Sequence, residues 1–452
     1  MKPLVLTTEP LPLPGLPTTG AGLRAWSLLF GLRAAGFPDA EIAFAADSVR
    51  GRDVRLDAVP GVHVFERAQL GEFIAARRPD AIVLQHWGLA SALPPVSVPL
   101  AIDLAGPHLL ERQLWGSPDP AKDRREKLAA LARADFVTCS GRRQRAWFLA
   151  FLLEAGFEPT GNLCPVIPFS LAPDLPSPAE DRDTSALLFA GYFLPWQDPA
   201  AALEWTLDCM EKRDRGRLLV IGGPHPSGDV SGGRHDALLS RLREHPRVEM
   251  HGVMPFAQVL GVMRRCGAVV DLMPRNPERE LAFPSRTLAA MWAGLPPLHN
   301  DFDELAEPIA RAKAGWTLDP ADEAGFRRAV ERILAHGEDV AQRGANAQKL
   351  VRRDYTWDKT IEPLAAWLRE PGRREKKASV PAVAVERRGP RRERAPRPGG
   401  NVVYAPPAPV TGPNRLQQVL SPLALMLALP LAAVLLLVFG VAEAARAVGR
   451  RR

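Results

Sequence analysis

The chain passes twice through one pattern, in which short uninterrupted apolar runs alternate with longer segments whose apolar residues recur at helical spacing. Strands that are apolar on both faces belong inside a covered sheet, and strand–helix alternation feeds parallel pairing. In the first half the strand candidates are residues 4–7, 41–46, 63–66, 81–86, 99–104, 136–140 and 164–168. Helical patterns fall at 22–35, 69–77, 122–134 and 142–155. A polar, Pro-rich stretch at 171–184 then separates this half from a second series. There the strands are expected at 186–191, 217–222, 248–252, 268–272, 297–299 and 315–318, and the helices at 199–211, 236–243, 256–265, 285–293 and 324–335. Two further helical stretches, 340–352 and 357–369, close the folded part. The fold class is therefore α/β, with two Rossmann-like, doubly wound parallel sheets facing a cleft. An N-terminal domain spans 1–170, a C-terminal domain 185–356, and a helix at 357–369 crosses back to the first domain.

Charge divides along the chain. Of 58 basic and 51 acidic residues, 16 basic and 5 acidic lie in residues 369–452, leaving a mildly acidic body. That excludes a nucleic-acid-binding body and directs the basic tail toward anionic lipid. Residues 370–414 are rich in Arg, Pro, Glu, Ala and Gly and are expected to form a disordered linker. Residues 423–441 carry no charge, and as a helix would span about 28 Å, close to the hydrocarbon thickness. A membrane helix is therefore expected within 419–445, either as a single-pass anchor or as a wedge bent at Pro430. The opening Met1-Lys2-Pro3-Leu-Val-Leu-Thr-Thr is too short an apolar run for a signal peptide, so the body is expected on the cytoplasmic side of the membrane. Cys139, Cys164, Cys209 and Cys266 form no CxxC pair, which argues against a disulfide framework and a cysteine zinc site.

Ligands of such folds bind beyond the carboxyl ends of the strands, so residues there are the site candidates. Gly20 and Gly22 lead from the first strand into a helix beginning near Arg24, a turn suited to phosphate or a sugar hydroxyl. His86 ends one buried strand and Asp103 the next, and these are the catalytic candidates. His108 and Glu111 follow as groups that could hold acceptor hydroxyls. In the second half, Gly191, Trp196, Gly222 and His225 lie at strand ends. Arg275, Arg279, Glu280 and Arg286 precede or open a helix, where the guanidinium groups and the helix dipole suit a diphosphate.

The segment Phe283-Pro-Ser-Arg-Thr-Leu-Ala-Ala-Met-Trp-Ala-Gly-Leu-Pro296 resembles the donor-binding helix of GT-B glycosyltransferases, those of family 4 in particular. His-Gly-Val-Met-Pro255 before residues 268–272, and Cys139-Ser-Gly-Arg-Arg-Gln-Arg145 before Val166-Ile-Pro168, are similar too. The resemblance covers residues 3–369. It implies transfer of a sugar from a nucleotide-diphosphate sugar, with retention and with no cofactor besides that co-substrate. The expected membrane helix would hold the cleft beside lipid-linked acceptors, so an envelope polysaccharide or lipid-linked acceptor is expected. No Asp-x-Asp metal motif is read at a strand end, so metal-independent transfer is expected. The family's paired glutamates would fall at Leu281 and Ala289, and neither is acidic; Glu278 or Glu280 is the stand-in for the first. The basic pair that follows the donor domain's first strand in the family is replaced around Tyr192 and Gln197. These departures support a second expectation, a catalytically weak scaffold with the same fold.

Overall fold

The computed structural model describes residues 1–49, 51–52, 54–223 and 233–375. In the N-terminal half the strands are β1 (Pro3–Thr7), β2 (Glu41–Ala45), β3 (Val62–Phe65), β4 (Ala81–Gln85), β5 (Leu100–Leu104) and β6 (Phe136–Cys139). The helices are α1 (Gly20–Ala34), α2 (Leu70–Arg77), α3 (His108–Leu114), α4 (Pro120–Arg133) and α5 (Arg142–Glu154). The second half contains β7 (Asp183–Ala190), β8 (Arg217–Ile221), β9 (Val248–His251), β10 (Cys266–Asp271), β11 (Pro297–Asn300) and β12 (Trp316–Leu318). Its helices are α6 (Ala200–Arg213), α7 (Asp236–Glu244), α8 (Phe256–Met263), α9 (Pro277–Leu281), α10 (Ser285–Trp292), α11 (Ala306–Ala312), α12 (Glu323–Ala335) and α13 (Gly337–Asp354). Two short helices, α14 (Trp357–Thr360) and α15 (Glu362–Arg369), follow.

Both sheets are parallel and share one strand order. The first runs β3-β2-β1-β4-β5-β6 and the second β9-β8-β7-β10-β11-β12, each with its first strand beside its fourth. That crossover between neighbours is the switch point where ligands enter a doubly wound sheet. Continuous apolar runs are explained by two-sided burial: Leu4 and Leu6 face one core layer and Val5 the other. In β7, Leu187 and Phe189 face one layer while Ala186, Leu188 and Ala190 face its opposite.

The expected strand at 164–168 is not present. The segment makes one bridge, between Val166 and Cys139, and Cys164 has a left-handed φ of 56°. Pro165 and Pro168 have no N–H for a ladder, so the run is apolar without pairing further.

Two strands of chain cross between the halves side by side, with Leu171 donating to Tyr355 O at 3.1 Å and Trp357 donating to Leu171 O at 3.0 Å. Beyond the crossing, α14 and α15 pack on the N-terminal half. Trp357 stacks on Phe30 with ring centres 5.2 Å apart, and Trp367 stacks nearly parallel to Phe136 at 5.0 Å. Gly31 of α1 has no room for a Cβ, which would sit 2.9 Å from Ile361 Cβ.

The linker expected from residue 370 does not begin there. Arg373 donates to Ser97 O at 2.6 Å. Arg374 donates to the carbonyls of Ala132, Ala134 and Gly156 and lies 4.0 Å from the ring centre of Phe157. One well-placed guanidinium outweighs the polar composition around it. Residues 376–414 and the expected membrane helix at 419–445 lie outside the described residues. Among the described residues, no helix is long and apolar enough to cross a membrane.

Candidate functional site

A cavity of about 630 Å³ opens between the two halves, lined by the carboxyl-end loops of both sheets and by α1, α3, α9 and α10. On the N-terminal side Thr19 caps α1, accepting the Gly22 N–H at 3.0 Å and donating to Glu9 Oε2 at 2.8 Å. Gly22 is required by close packing, since a Cβ there would overlap Pro10 O. A Cβ at Gly20 would lie 2.7 Å from Ser285 Oγ, so the start of α1 meets the start of α10 across the cleft.

Arg24 and Asp103 have a different role from the one expected. Both are buried, and the guanidinium grips the carboxylate through two bonds of 3.0 and 2.8 Å while donating to Pro168 O at 2.8 Å. Thr138 donates to the same carboxylate at 2.7 Å. Asp103 lies outside the cavity wall, and burial of either charge is tolerable only with the other in place. The pair ties α1, β5 and β6 together, so Asp103 is corrected from a catalytic candidate to a structural counter-ion. Arg24, for the same reason, has no free fork for phosphate.

His86 does line the cavity. It sits at φ 83°, a conformation that costs a residue with a side chain on the order of 1–3 kcal/mol, and such strain persists mostly at functional sites. Its Nδ1 accepts the Gly88 N–H at 3.0 Å, which puts the proton of the neutral ring on Nε2. Burial, helped by the charges of His108, Lys127 and Arg112, holds the imidazole well below its usual range. His86 is therefore a neutral donor, and Nε2 has no hydrogen-bond partner among the described residues. His108, the first residue of α3, stands edge-on to His86 with ring centres 4.3 Å apart and has Nδ1 3.0 Å from Glu111 Oε2.

Across the cleft, Arg286 lies in the first turn of α10. It donates to Gln197 Oε1 at 2.9 Å and to Asp271 Oδ1 at 3.2 Å, 5.0 Å from the ring centre of Phe189. Its guanidinium covers Gly191, where a Cβ would overlap it, and a Cβ at Gly222 would overlap Gly191 O. Behind Arg286, Asp271 also accepts from Thr287 Oγ1 at 2.5 Å, and His299 bonds Asp303 at 2.8 Å. Burial alone would raise the Asp271 carboxyl, but Arg286, His299 and Thr287 hold it below the usual range.

Of the three arginines expected to converge, two reach the cavity. Arg279 lines it and is locked onto buried Glu278 through bonds of 2.6 and 2.8 Å. Asn276 caps α9 through the Arg279 N–H and donates to Trp196 O at 3.0 Å, which fixes the loop carrying Trp196 at the cavity wall. Arg275 turns outward instead, pairs with Glu280 at 2.6 Å and covers Phe302. Neither Arg275 nor Glu280 lines the cavity, because that ion pair forms on the solvent side of α9. His225 lies outside the described residues.

Several wall residues carried little sequence signal, among them Glu9, Trp115, Phe169 and Ser285. The sequence also holds an Asp-x-Asp pair at the carboxyl end of a strand after all, Asp301 and Asp303, just past β11. Asp303 is taken up by His299 and the Leu305 N–H, and Asp301 is exposed. No cluster of three metal-ligating side chains occurs among the described residues. Each arginine in the wall has its own carboxylate, in the pairs Arg24–Asp103, Arg67–Asp47, Arg112–Asp123, Arg279–Glu278 and Arg286–Asp271.

No family model and no curated protein matches the sequence. Solved structures do match. Sucrose-phosphate synthase from Thermosynechococcus elongatus aligns over 82% of this chain and 98% of its own, with a TM-score of 0.60 at 16% identity. Anabaena HepE, solved with UDP and glucose, aligns over 82% and 99% with a TM-score of 0.58, also at 16% identity. An alpha-glucosyltransferase solved with UDP-glucose and DNA aligns over 82% and 100%, at 0.56 and 9% identity. The chain has the GT-B fold. The GT-B cleft is the cavity described above, across which the starts of α1 and α10 meet.

Proposed function

We propose that this GT-B protein is a glycosyltransferase that moves a sugar from a nucleotide-diphosphate sugar to an envelope polysaccharide or lipid-linked acceptor. The observation that carries this reading is Arg286, placed at the opening turn of α10 over a strand-end glycine that admits nothing larger. Two of the compared structures hold UDP or UDP-glucose, which supports a nucleotide-sugar donor.

In the reaction, the acceptor hydroxyl oxygen bonds to the anomeric carbon as the bond from that carbon to the phosphate oxygen breaks. The electron pair leaves with the nucleoside diphosphate, and a phosphate oxygen takes the hydroxyl proton. Attack on the face the diphosphate leaves retains the configuration. Arg286 and the backbone N–H groups opening α10 stabilise the departing charge, and no metal ion is required. Because the wall arginines are each paired, donor binding depends on oriented dipoles and shared guanidinium donors rather than on excess positive charge. His86 donates from Nε2 to a sugar or phosphate oxygen at the junction. The protein acts at the cytoplasmic face of the inner membrane, held by the uncharged run at 423–441 and the basic tail.

Purified protein incubated with labelled nucleotide sugars tests this reading. Turnover of at least one donor is the expected result, and none with any donor overturns it. A second reading, a scaffold that binds nucleotide without turnover, is favoured by Ala289, which lines the cavity where the family carries a carboxylate. Nucleotide binding without turnover would establish it.

A further inference from the structure

At the mouth of the cavity α3 ends in Leu114 and Trp115, which are 45% and 49% exposed. Among the described residues they are the only adjacent pair of large apolar side chains left this open. Trp115 belongs to the same wall as His108, Glu111 and Arg112.

The backbone beneath the indole is fixed. Gly116 takes φ 86°, its N–H bonds Gln113 O at 3.0 Å, and the Ser117 N–H bonds Arg112 O at 2.7 Å. These two bonds form the glycine-terminated helix stop known as a Schellman motif. Ser117 Oγ then donates to Asp123 at 2.5 Å, tying the stop to α4. The ring is thus presented by a closed, hydrogen-bonded turn.

The surrounding charge selects the ligand. Residues 108–126 hold four basic and four acidic side chains, and every cation there has a carboxylate: Arg112 with Asp123, Lys122 with Glu126, Arg124 with Glu154 and Arg125 with Asp119. A patch without net charge gives no attraction to a phosphate or an anionic bilayer. It suits a neutral ligand with one apolar face and hydroxyls on its rim. Glu111, one turn back, has one oxygen on His108 and no hydrogen bond to the other among the described residues, leaving an acceptor for such a hydroxyl.

We infer that Trp115 is a stacking platform for a pyranose ring of the acceptor, with Glu111 receiving one of its hydroxyls. The accepting group is then a saccharide. Its role as acceptor rests on the glycosyltransferase reading; its binding does not.

Saturation-transfer NMR on the full chain with UDP present tests this, using the methyl glycosides of glucose, galactose, mannose and N-acetylglucosamine as probes. At least one should receive transfer at its ring C–H protons. Trp115→Phe should keep the signal, and Trp115→Ala and Trp115→Gln should reduce it at least fivefold with UDP affinity unchanged. The inference is overturned if no probe binds the wild type, or if Trp115→Ala and Trp115→Gln bind as well as wild type. It is also overturned if Trp115→Ala mainly weakens sedimentation with anionic vesicles. Stacking without nucleotide-sugar turnover would instead retain the inference and remove the transferase reading.

Discussion

Glu304, on the C-terminal half, caps a helix of the N-terminal half by accepting the Arg142 N–H at 2.9 Å. Its other oxygen accepts the Arg143 N–H at 3.3 Å, and Gly141 leaves just enough room, since a Cβ there would lie 3.2 Å from the carboxylate. No side chain of its own caps α5, so two otherwise unpaired donors are satisfied only when the halves are together. Removing such a cap costs about 0.5–2 kcal/mol. Glu304→Ala should therefore favour the open form. We expect faster amide exchange at Arg142 and Arg143, a larger radius of gyration by X-ray scattering, and UDP affinity lowered about three- to tenfold. Unchanged exchange at those two amides would refute the cap.

Arg286→Ala should lower nucleotide affinity more than tenfold, measured by titration calorimetry. Gly191→Ala should act in the same direction, because its methyl group would displace the guanidinium. Equal UDP binding by both variants would remove Arg286 from the diphosphate site.

Breaking the Arg24–Asp103 pair should damage stability before chemistry. Leaving either charge buried and alone costs about 3–5 kcal/mol, so Asp103→Ala should lower the melting temperature by several degrees. A variant of unchanged stability that lost only turnover would return Asp103 to catalysis.

Lys127 is fully buried on α4, with Nζ 4.0 Å from the ring centre of Phe151 and no hydrogen-bond partner among the described residues. Burial lowers its amine to about 7. The unfolded chain binds this proton up to its ordinary pKa near 10.4, so stability rises with pH from about 7 to 10 and the full penalty holds below 7. Lys127→Met should raise stability at pH 7 by roughly 2–4 kcal/mol and flatten that rise, read by urea melts across pH 6–10. A less stable variant would mean that the amine has a partner.

Deleting residues 422–452 should move the protein from the membrane pellet to the soluble fraction. Continued sedimentation with membranes would refute the anchor.

Most strands were legible because residues such as Leu4–Leu6 or Ile82–Leu84 are buried on both sides and leave uninterrupted apolar runs. The helices α3, α9 and α11 were not, since five to seven residues make too few turns to show a period. Site residues divide in the same way. His86 and Arg286 follow directly from their places at a strand end and a helix start. Asp103 occupies an equally promising place, but its partner Arg24 lies 79 residues away, and only the folded chain reveals that ion pair. Glu278 and Glu280 were equivalent on paper; one turn of α9 buries the first against Arg279 and leaves the second outside with Arg275.

Arg373 and Arg374 give the docking on the N-terminal half a mechanical meaning. The chain leaving α15 is tied at Arg373 and Arg374 to the N-terminal half, which carries the Trp115 wall, and not to the half that carries Arg286. The half that carries Arg286 meets this anchored half through the paired crossings at Leu171 and Thr356.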